Sequence, residues 1–275
     1  MDELASESQA KVAPFLKWPG EKRWAARHIA GAVRRRLQGN YFEPFLGGGA
    51  VFFYLCPTKA VLSDINGDLI NTYAMVRDRP DEVVEKLRVL PVSRAEYYRI
   101  RASEPSDPTL RAARFLYLNR TAFGGMYRLN HAGRFNVPYG GGEREPSVLW
   151  RTAVLKEASG ALKSAELREA DFETALERAG RVDVVYCDPT YTVTHDQDGF
   201  VRYNNRNFSW ADQERLAKAA SQASRRGVAV IISNAHHKEI RKLYKTATFE
   251  TLVRVSTLCP DPSCRRTVLE YLITL

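Results

Sequence analysis

Two stretches of the chain run in the order strand, tight turn, helix, strand, and that alternation confines the fold to a sheet of mainly parallel strands joined by crossover helices. The first stretch opens with a short strand over 41–44 and turns at Gly47-Gly48-Gly49. It continues through a helix over 50–55 and a strand over 59–63 to the acidic turn Asp64-Ile65-Asn66-Gly67. The second stretch begins with a strand from 167 that ends at Asp171, followed by a helix over 173–179 and the apolar run 182–187. A helix starting near Ser209 and a strand over 228–233 complete it. Between them, 69–151 reads differently, with helical runs such as 111–119 and then a segment over 121–146 rich in glycine, proline and arginine. The sequence therefore predicts an α/β, Rossmann-like sheet built from 1–68 and 152–275, interrupted by a mostly helical unit over 69–151 that carries a β-hairpin.

Composition bounds the partners. The chain has 275 residues, 44% of them hydrophobic, enough for a large core. Its 41 basic against 32 acidic residues leave a formal charge of +9, which favours a polyanion through counterion release. No basic amphipathic helix stands out and no apolar run reaches the roughly eighteen residues of a membrane span, so nucleic acid is expected over membrane. The polar start, Met1 to Ala10, lacks the basic-then-apolar order of a signal peptide, and the expectation is a soluble, cytoplasmic, monomeric protein. Cys56, Cys187, Cys259 and Cys264 read as reduced thiols, because Cys259 and Cys264 offer two ligands where structural zinc takes about four. No metal is expected. The run Arg34-Arg35-Arg36 reads as a solvated helix end, and His236-His237 as a loop or helix start with no catalytic role.

The chemistry is concentrated where open sheets hold ligands, at the carboxyl ends of strands. Asp188-Pro189-Thr190-Tyr191 follows the apolar run directly. A carboxylate and a carbonyl beside an aromatic ring make an acceptor-rich pocket suited to the exocyclic amine of a stacked nucleobase. The Gly47-Gly48-Gly49 turn lets a ligand approach the backbone before a helix N-terminus, and Asp64 at the end of the next strand is placed for ribose hydroxyls. No Gly-Lys-Ser/Thr follows, which disfavours a phosphate cradle. Further along, Arg120, Arg128 and Arg134 alternate with Phe123, Met126, Tyr127 and Phe135, a pattern suited to phosphate and base-edge contacts and a wedge into stacked bases.

Taken in order, Lys17-Trp18-Pro19-Gly20-Glu21-Lys22, Phe45-Leu46-Gly47-Gly48-Gly49, the segment from Ser63 to Asn71, the segment from Leu118 to Arg128, the segment from Arg134 to Gly140 and Asp188-Pro189-Thr190-Tyr191 resemble the Dam-type DNA adenine N6-methyltransferases of bacteria and phages. The resemblance extends from Pro14 almost to the carboxyl terminus, through Asn207-Phe208-Ser209 and Ile232-Ser233-Asn234. It implies methyl transfer from S-adenosylmethionine to a flipped adenine in double-stranded DNA, by a methyltransferase domain formed from 1–68 and 152–275 with 69–151 as target-recognition domain. It further implies that Trp18, Lys22, Asp64 and Asp188 contact the cofactor, that Phe45 and Gly47 line its pocket, and that Asp171 of the Asp171-Phe172 pair holds its adenine. Asp188, Pro189 and Tyr191 would be the catalytic group. Arg128 matches the arginine that reads a guanine, and Phe123 or Met126 would fill the gap left by the flipped base. The chain departs from the family pattern at Pro19, Glu21, Ala170 and Thr190, and Gly124 replaces the asparagine of GATC-specific members. The loop 192–206 is expected to close over the base, and a cognate restriction endonuclease is a conceivable separate partner. An RNA adenine or cytosine N4 methyltransferase, and a cofactor-binding DNA-binding protein of weak catalysis, are the alternatives.

Overall fold

The apolar stretches settle into one sheet whose central strands are buried on both faces and need a helix over each. A computed structural model describes residues 12–130, 132–142, 149–193, 208–255 and 267–275. The first unit is α1 (Ala26–Arg34), β1 (Tyr41–Glu43), α2 (Ala50–Leu55) and β2 (Ala60–Asp64). Helices α3 (Gly67–Asp78), α4 (Pro80–Arg88), α5 (Arg94–Ala102), α6 (Pro108–Thr121) and α7 (Thr152–Leu162) follow. The chain then returns to β3 (Ala165–Glu169), α8 (Phe172–Arg178), β4 (Val184–Cys187), α9 (Trp210–Arg225), β5 (Ala229–Ala235), α10 (Lys238–Leu243), β6 (Thr248–Val255) and β7 (Thr267–Thr274).

The sheet order is β3-β2-β1-β4-β5-β7-β6. Strands β1 to β5 run parallel to one another, with Tyr41 beside Ala60 on one side and Val184 on the other, while β7 runs antiparallel to both β5 and β6. The strand order reverses at β1, flanked by β2 and β4, which makes the gap beyond the ends of β1 and β4 the switch-point crevice. The reversed β7 brings its N-terminal half to that same edge, with Glu270 paired to Ala235 at the end of β5.

Local chemistry explains the helix starts that frame the crevice. Asn66 caps α3 by accepting from the Leu69 amide, and Asp171 caps α8 by accepting from Glu173. Ser209 and Asp212 form a reciprocal capping box on α9. In the intervening stretch, Ser93 caps α5 and Asp107 caps α6, which begins with Pro108. After α6 the chain folds back on itself, with isolated antiparallel bridges Leu129–Phe135 and Ala122–Tyr139. Asn130 closes the turn by accepting from the amides of Ala132 and Arg134.

The expected boundary at 68/69 falls inside α3. Tyr97, Phe115 and Tyr117 of the intervening helices share one hydrophobic core with Tyr41, Leu62 and Tyr186 of the sheet, and a second core around Phe42, Val185 and Ile232 fills the opposite face. No helix among the described residues is long and apolar enough to cross a membrane. The expectations for Met1 to Ala10 and for Cys259 and Cys264 fall outside the described residues, as does 194–207 of the loop expected to close over the base.

Candidate active site

The glycine turn after β1 is held in place by the acidic end of β2. Asp64 accepts from the Gly47 amide through Oδ2 (3.1 Å) and from the Asn66 amide through Oδ1 (3.0 Å), so one carboxylate ties both turns together. Burial pushes its carboxyl above the usual range, partly offset by those amides. Gly47 has φ +46° and Gly49 φ +65°, which disfavour a side chain. A Cβ on Gly47 would lie 2.7 Å from Trp18 Cδ1, so the indole packs directly over the bare turn. Trp18 in turn stacks on Tyr127 at 5.1 Å and Phe115 at 6.3 Å, linking the turn to the intervening helices. On the other side, Phe45 stacks on Phe172 at 5.3 Å and meets Phe208 edge-on.

Beyond β4, a buried charge cluster surrounds the tetrapeptide. Lys22 Nζ lies 2.9 Å from Asp188 Oδ1 and 3.5 Å from Glu270 Oε2, and donates to the Gly20 carbonyl at 3.0 Å. The same ammonium sits 4.8 Å from the centre of the Tyr191 ring. Tyr191 Oη donates to Glu270 Oε2 at 2.6 Å, and Arg254 Nε donates to Glu270 Oε1 at 3.1 Å. Two carboxylates and two cations thus neutralise one another around the buried Lys22 and Glu270, as buried charges require. Burial raises the Asp188 carboxyl to about 6; Lys22 pulls it down and Glu270 pushes it up. Pro189 is buried and Thr190 exposed.

Below this layer, Glu43 accepts from the Tyr41 hydroxyl at 2.8 Å, and burial lifts its carboxyl to about 8, with Asp188 nearby adding to the rise. That rise favours the protonated form of Glu43 beside the carboxylates of Asp188 and Glu270. Burial likewise pushes the Cys187 thiol up, and its side chain fills the core at the end of β4.

The structure gathers Trp18, Lys22, Phe45, Gly47, Asp64, Asp171, Asp188, Pro189 and Tyr191 along one edge of the sheet. Asp171 is more engaged than its sequence suggests: besides capping α8 it pairs with Arg215, which also grips Glu173 and Asp212 and lies over the Phe172 ring. Sequence reasoning missed Glu270, Arg254 and Arg215. For Glu270 a signal existed, an acid in the middle of the apolar strand Thr-Val-Leu-Glu-Tyr-Leu-Ile-Thr. His237 begins α10, accepting from the Glu239 amide.

On the hairpin, Phe123 is 56% and Met126 39% exposed, large apolar groups placed on the surface. Arg128 is exposed, its Nε donating to Asn136 Oδ1 at 2.8 Å, and Arg134 pairs with Glu104 at 3.4 Å. Arg120, expected among the DNA contacts, lies inside the fold. It is buried at the end of α6 and donates to the Phe15 carbonyl. Burial draws its pKa down to about 10. Its bond to Phe15 ties the amino-terminal segment to α6.

Comparison with known proteins agrees with this geometry. A profile of the D12 class N6 adenine-specific DNA methyltransferases matches residues 18–258. The chain is 34% identical to the Type II methyltransferase M1.LlaDCHI of Lactococcus lactis subsp. cremoris, over 98% of each chain. It is 35% identical to the Type II methyltransferase M.MjaIII of Methanocaldococcus jannaschii, covering 88% of this chain and 91% of that one. To the DNA adenine methylase of Escherichia coli K12 it is 32% identical over 95% of each. The chain belongs to the D12 class N6 adenine-specific DNA methyltransferases and is an enzyme that methylates adenine in DNA.

Proposed function

We propose that the carboxyl edge of the sheet binds S-adenosylmethionine beside an adenine flipped out of double-stranded DNA, and that Asp188, Pro189 and Tyr191 present the adenine amine to it. The family implies this cofactor as methyl donor, and the residues fit it. Gly47 leaves a cradle that a Cβ would fill against Trp18, Asp64 lies where ribose hydroxyls are taken, and Phe45 with Asp171 and Phe172 offers an aromatic wall and a carboxylate for an adenine ring. When bound, the cofactor supplies an electrophilic methyl group on a sulfonium.

The exocyclic nitrogen of adenine is a poor nucleophile because its lone pair is delocalised into the ring. Asp188 and the Pro189 carbonyl would accept hydrogen bonds from its two N–H groups and localise that pair on nitrogen. As the N–CH3 bond forms, the S–CH3 bond would break with its electron pair left on sulfur, and the amine would release one proton to Asp188. Lys22 holds Asp188 in place, and positioning with fixed electrostatics carries the acceleration without a covalent enzyme intermediate. Tyr191, with the Lys22 ammonium 4.8 Å from its ring centre, is the ring on which the base stacks. Flipping costs a few kcal/mol, part of which stacking returns. Phe123 and Met126 fill the gap in the duplex, Arg128 reads a base edge, and Arg134 contacts the backbone. Residues 69–151 act as the target-recognition domain inserted into a methyltransferase domain of 1–68 and 152–275. A cytoplasmic monomer fits the sequence, and two relatives named as Type II methyltransferases make a separately acting restriction endonuclease a reasonable partner.

The observation that carries this reading is the buried Asp188–Lys22 pair at the end of β4. The test incubates the protein with labelled S-adenosylmethionine and, separately, unmethylated duplex DNA, the same strand alone, RNA and a duplex lacking adenine, and identifies the product base by mass spectrometry. N6-methyladenine arising fastest in the adenine-containing duplex is expected. Faster labelling of RNA, or N4-methylcytosine as the product, would overturn it.

A further inference from the structure

We propose that Glu270 is a positioning residue for methyl transfer, holding the Tyr191 ring by its hydroxyl and sharing the Lys22 ammonium with Asp188 so that ring, cation and catalytic carboxylate keep one geometry. The proposal rests on the reading of Asp188 given above. Glu270 lies on β7, 79 residues from Tyr191 in sequence, and reaches the crevice because β7 runs antiparallel to β5.

Three features argue against a merely structural acid. The side chain is almost wholly buried in an otherwise apolar strand, where an isosteric apolar residue would fill the same space without removing a charge from water. Each of its oxygens has a separate partner, Oε2 the Tyr191 hydroxyl and Lys22, Oε1 Arg254. All of these but Arg254 touch the proposed site directly. The phenol–carboxylate bond at 2.6 Å is charge-assisted and short, the kind that fixes a ring's orientation. Arg254 supplies the second cation, so that Glu270 does not draw Lys22 wholly away from Asp188. The groups facing Asp188 are then Lys22 from the segment before α1, Glu43 from the end of β1, Tyr186 and Cys187 from β4, Tyr191 from the following turn and Glu270 from β7.

The experiment measures the single-turnover rate of methyl transfer on unmethylated duplex DNA across pH, for the wild type, Glu270→Gln, Tyr191→Phe, the double variant and Asp188→Asn. Glu270→Gln is expected to lower the rate by about tenfold to a hundredfold while leaving DNA and cofactor affinity within about threefold. It is also expected to shift the acid limb of the profile to lower pH, since a neighbouring negative charge is gone and Lys22 serves Asp188 alone. Tyr191→Phe, which keeps the ring and cuts the same bond from the other side, should lose a similar factor, and the double variant little more than either. A wild-type rate in Tyr191→Phe overturns the proposal, as does an acid limb that stays in place in a folded Glu270→Gln. Full activity in Asp188→Asn would instead remove the reading of Asp188, a failure distinguishable from that of Glu270.

Discussion

Asp188 is the residue on which acid sensitivity should turn. It must be ionised to accept from the amine, and its carboxyl is raised to about 6, first by burial. The single-turnover rate should therefore be constant above that value and fall as pH drops through it. Lys22→Met should move the limb upward, because it removes the cation that favours the carboxylate, and should destabilise the fold by about 3–5 kcal/mol by leaving Asp188 and Glu270 without it. Glu43 bears on stability instead. Its carboxyl has a pKa of about 8 in the folded chain against 4.5 as the ordinary value, so between those limits the unfolded chain releases a proton that the folded chain keeps. Stability falls as pH rises across that window, and Glu43→Gln, which keeps the size and an acceptor for Tyr41, should remove part of that slope in melting curves. Asp188, Lys22 and Asp64 were legible in the sequence because each sits in a short motif at a strand end. For Glu270 only the acid in an apolar strand was visible; its partners Lys22, Tyr191 and Arg254 lie far away in sequence and are brought together by the fold. The burial of Arg120 was not legible for a related reason: a basic residue at a helix end looks alike whether it faces water or an internal carbonyl.

At the scale of elements, the glycine turn and the helix caps can be tested separately. Gly47→Ala places a Cβ at φ +46° and 2.7 Å from the Trp18 ring, so the turn and the indole must both shift. The left-handed backbone alone costs about 1–2 kcal/mol, and calorimetry should show cofactor affinity falling by about tenfold or more. Ser209→Ala breaks the capping box of α9 and should cost about 1 kcal/mol of stability in melting curves. These elements were readable because their boundaries are written in local chemistry: the helix expected over 50–55 is α2, and that expected near Ser209 begins at Trp210 behind its cap. The boundary of the inserted unit was harder to place. Its helices bury Tyr97, Phe115 and Tyr117 in the same core as the sheet, so no break in hydrophobic pattern marks where one part gives way to the other.

Across the whole molecule, the excess of +9 charge predicts DNA affinity that falls steeply with salt, by a slope of about −0.9 for each phosphate contacted. Arg128→Ala should weaken discrimination between target and altered duplexes by about 1–3 kcal/mol at one base position, measured as the ratio of their binding constants. Arg120→Ala should leave the salt slope unchanged and lower the melting temperature, because its guanidinium bonds inside the fold. The central claim is that a sheet edge assembled from distant parts of the chain converges on one carboxylate at the end of β4. It is tested most directly by the single-turnover rate of Asp188→Ala, with cofactor and duplex affinities measured on the same preparation. The expected result is a loss of about a hundredfold to a thousandfold or more in methyl transfer with both ligands still bound. Transfer within about tenfold of the wild type, at saturating cofactor and DNA, would contradict it.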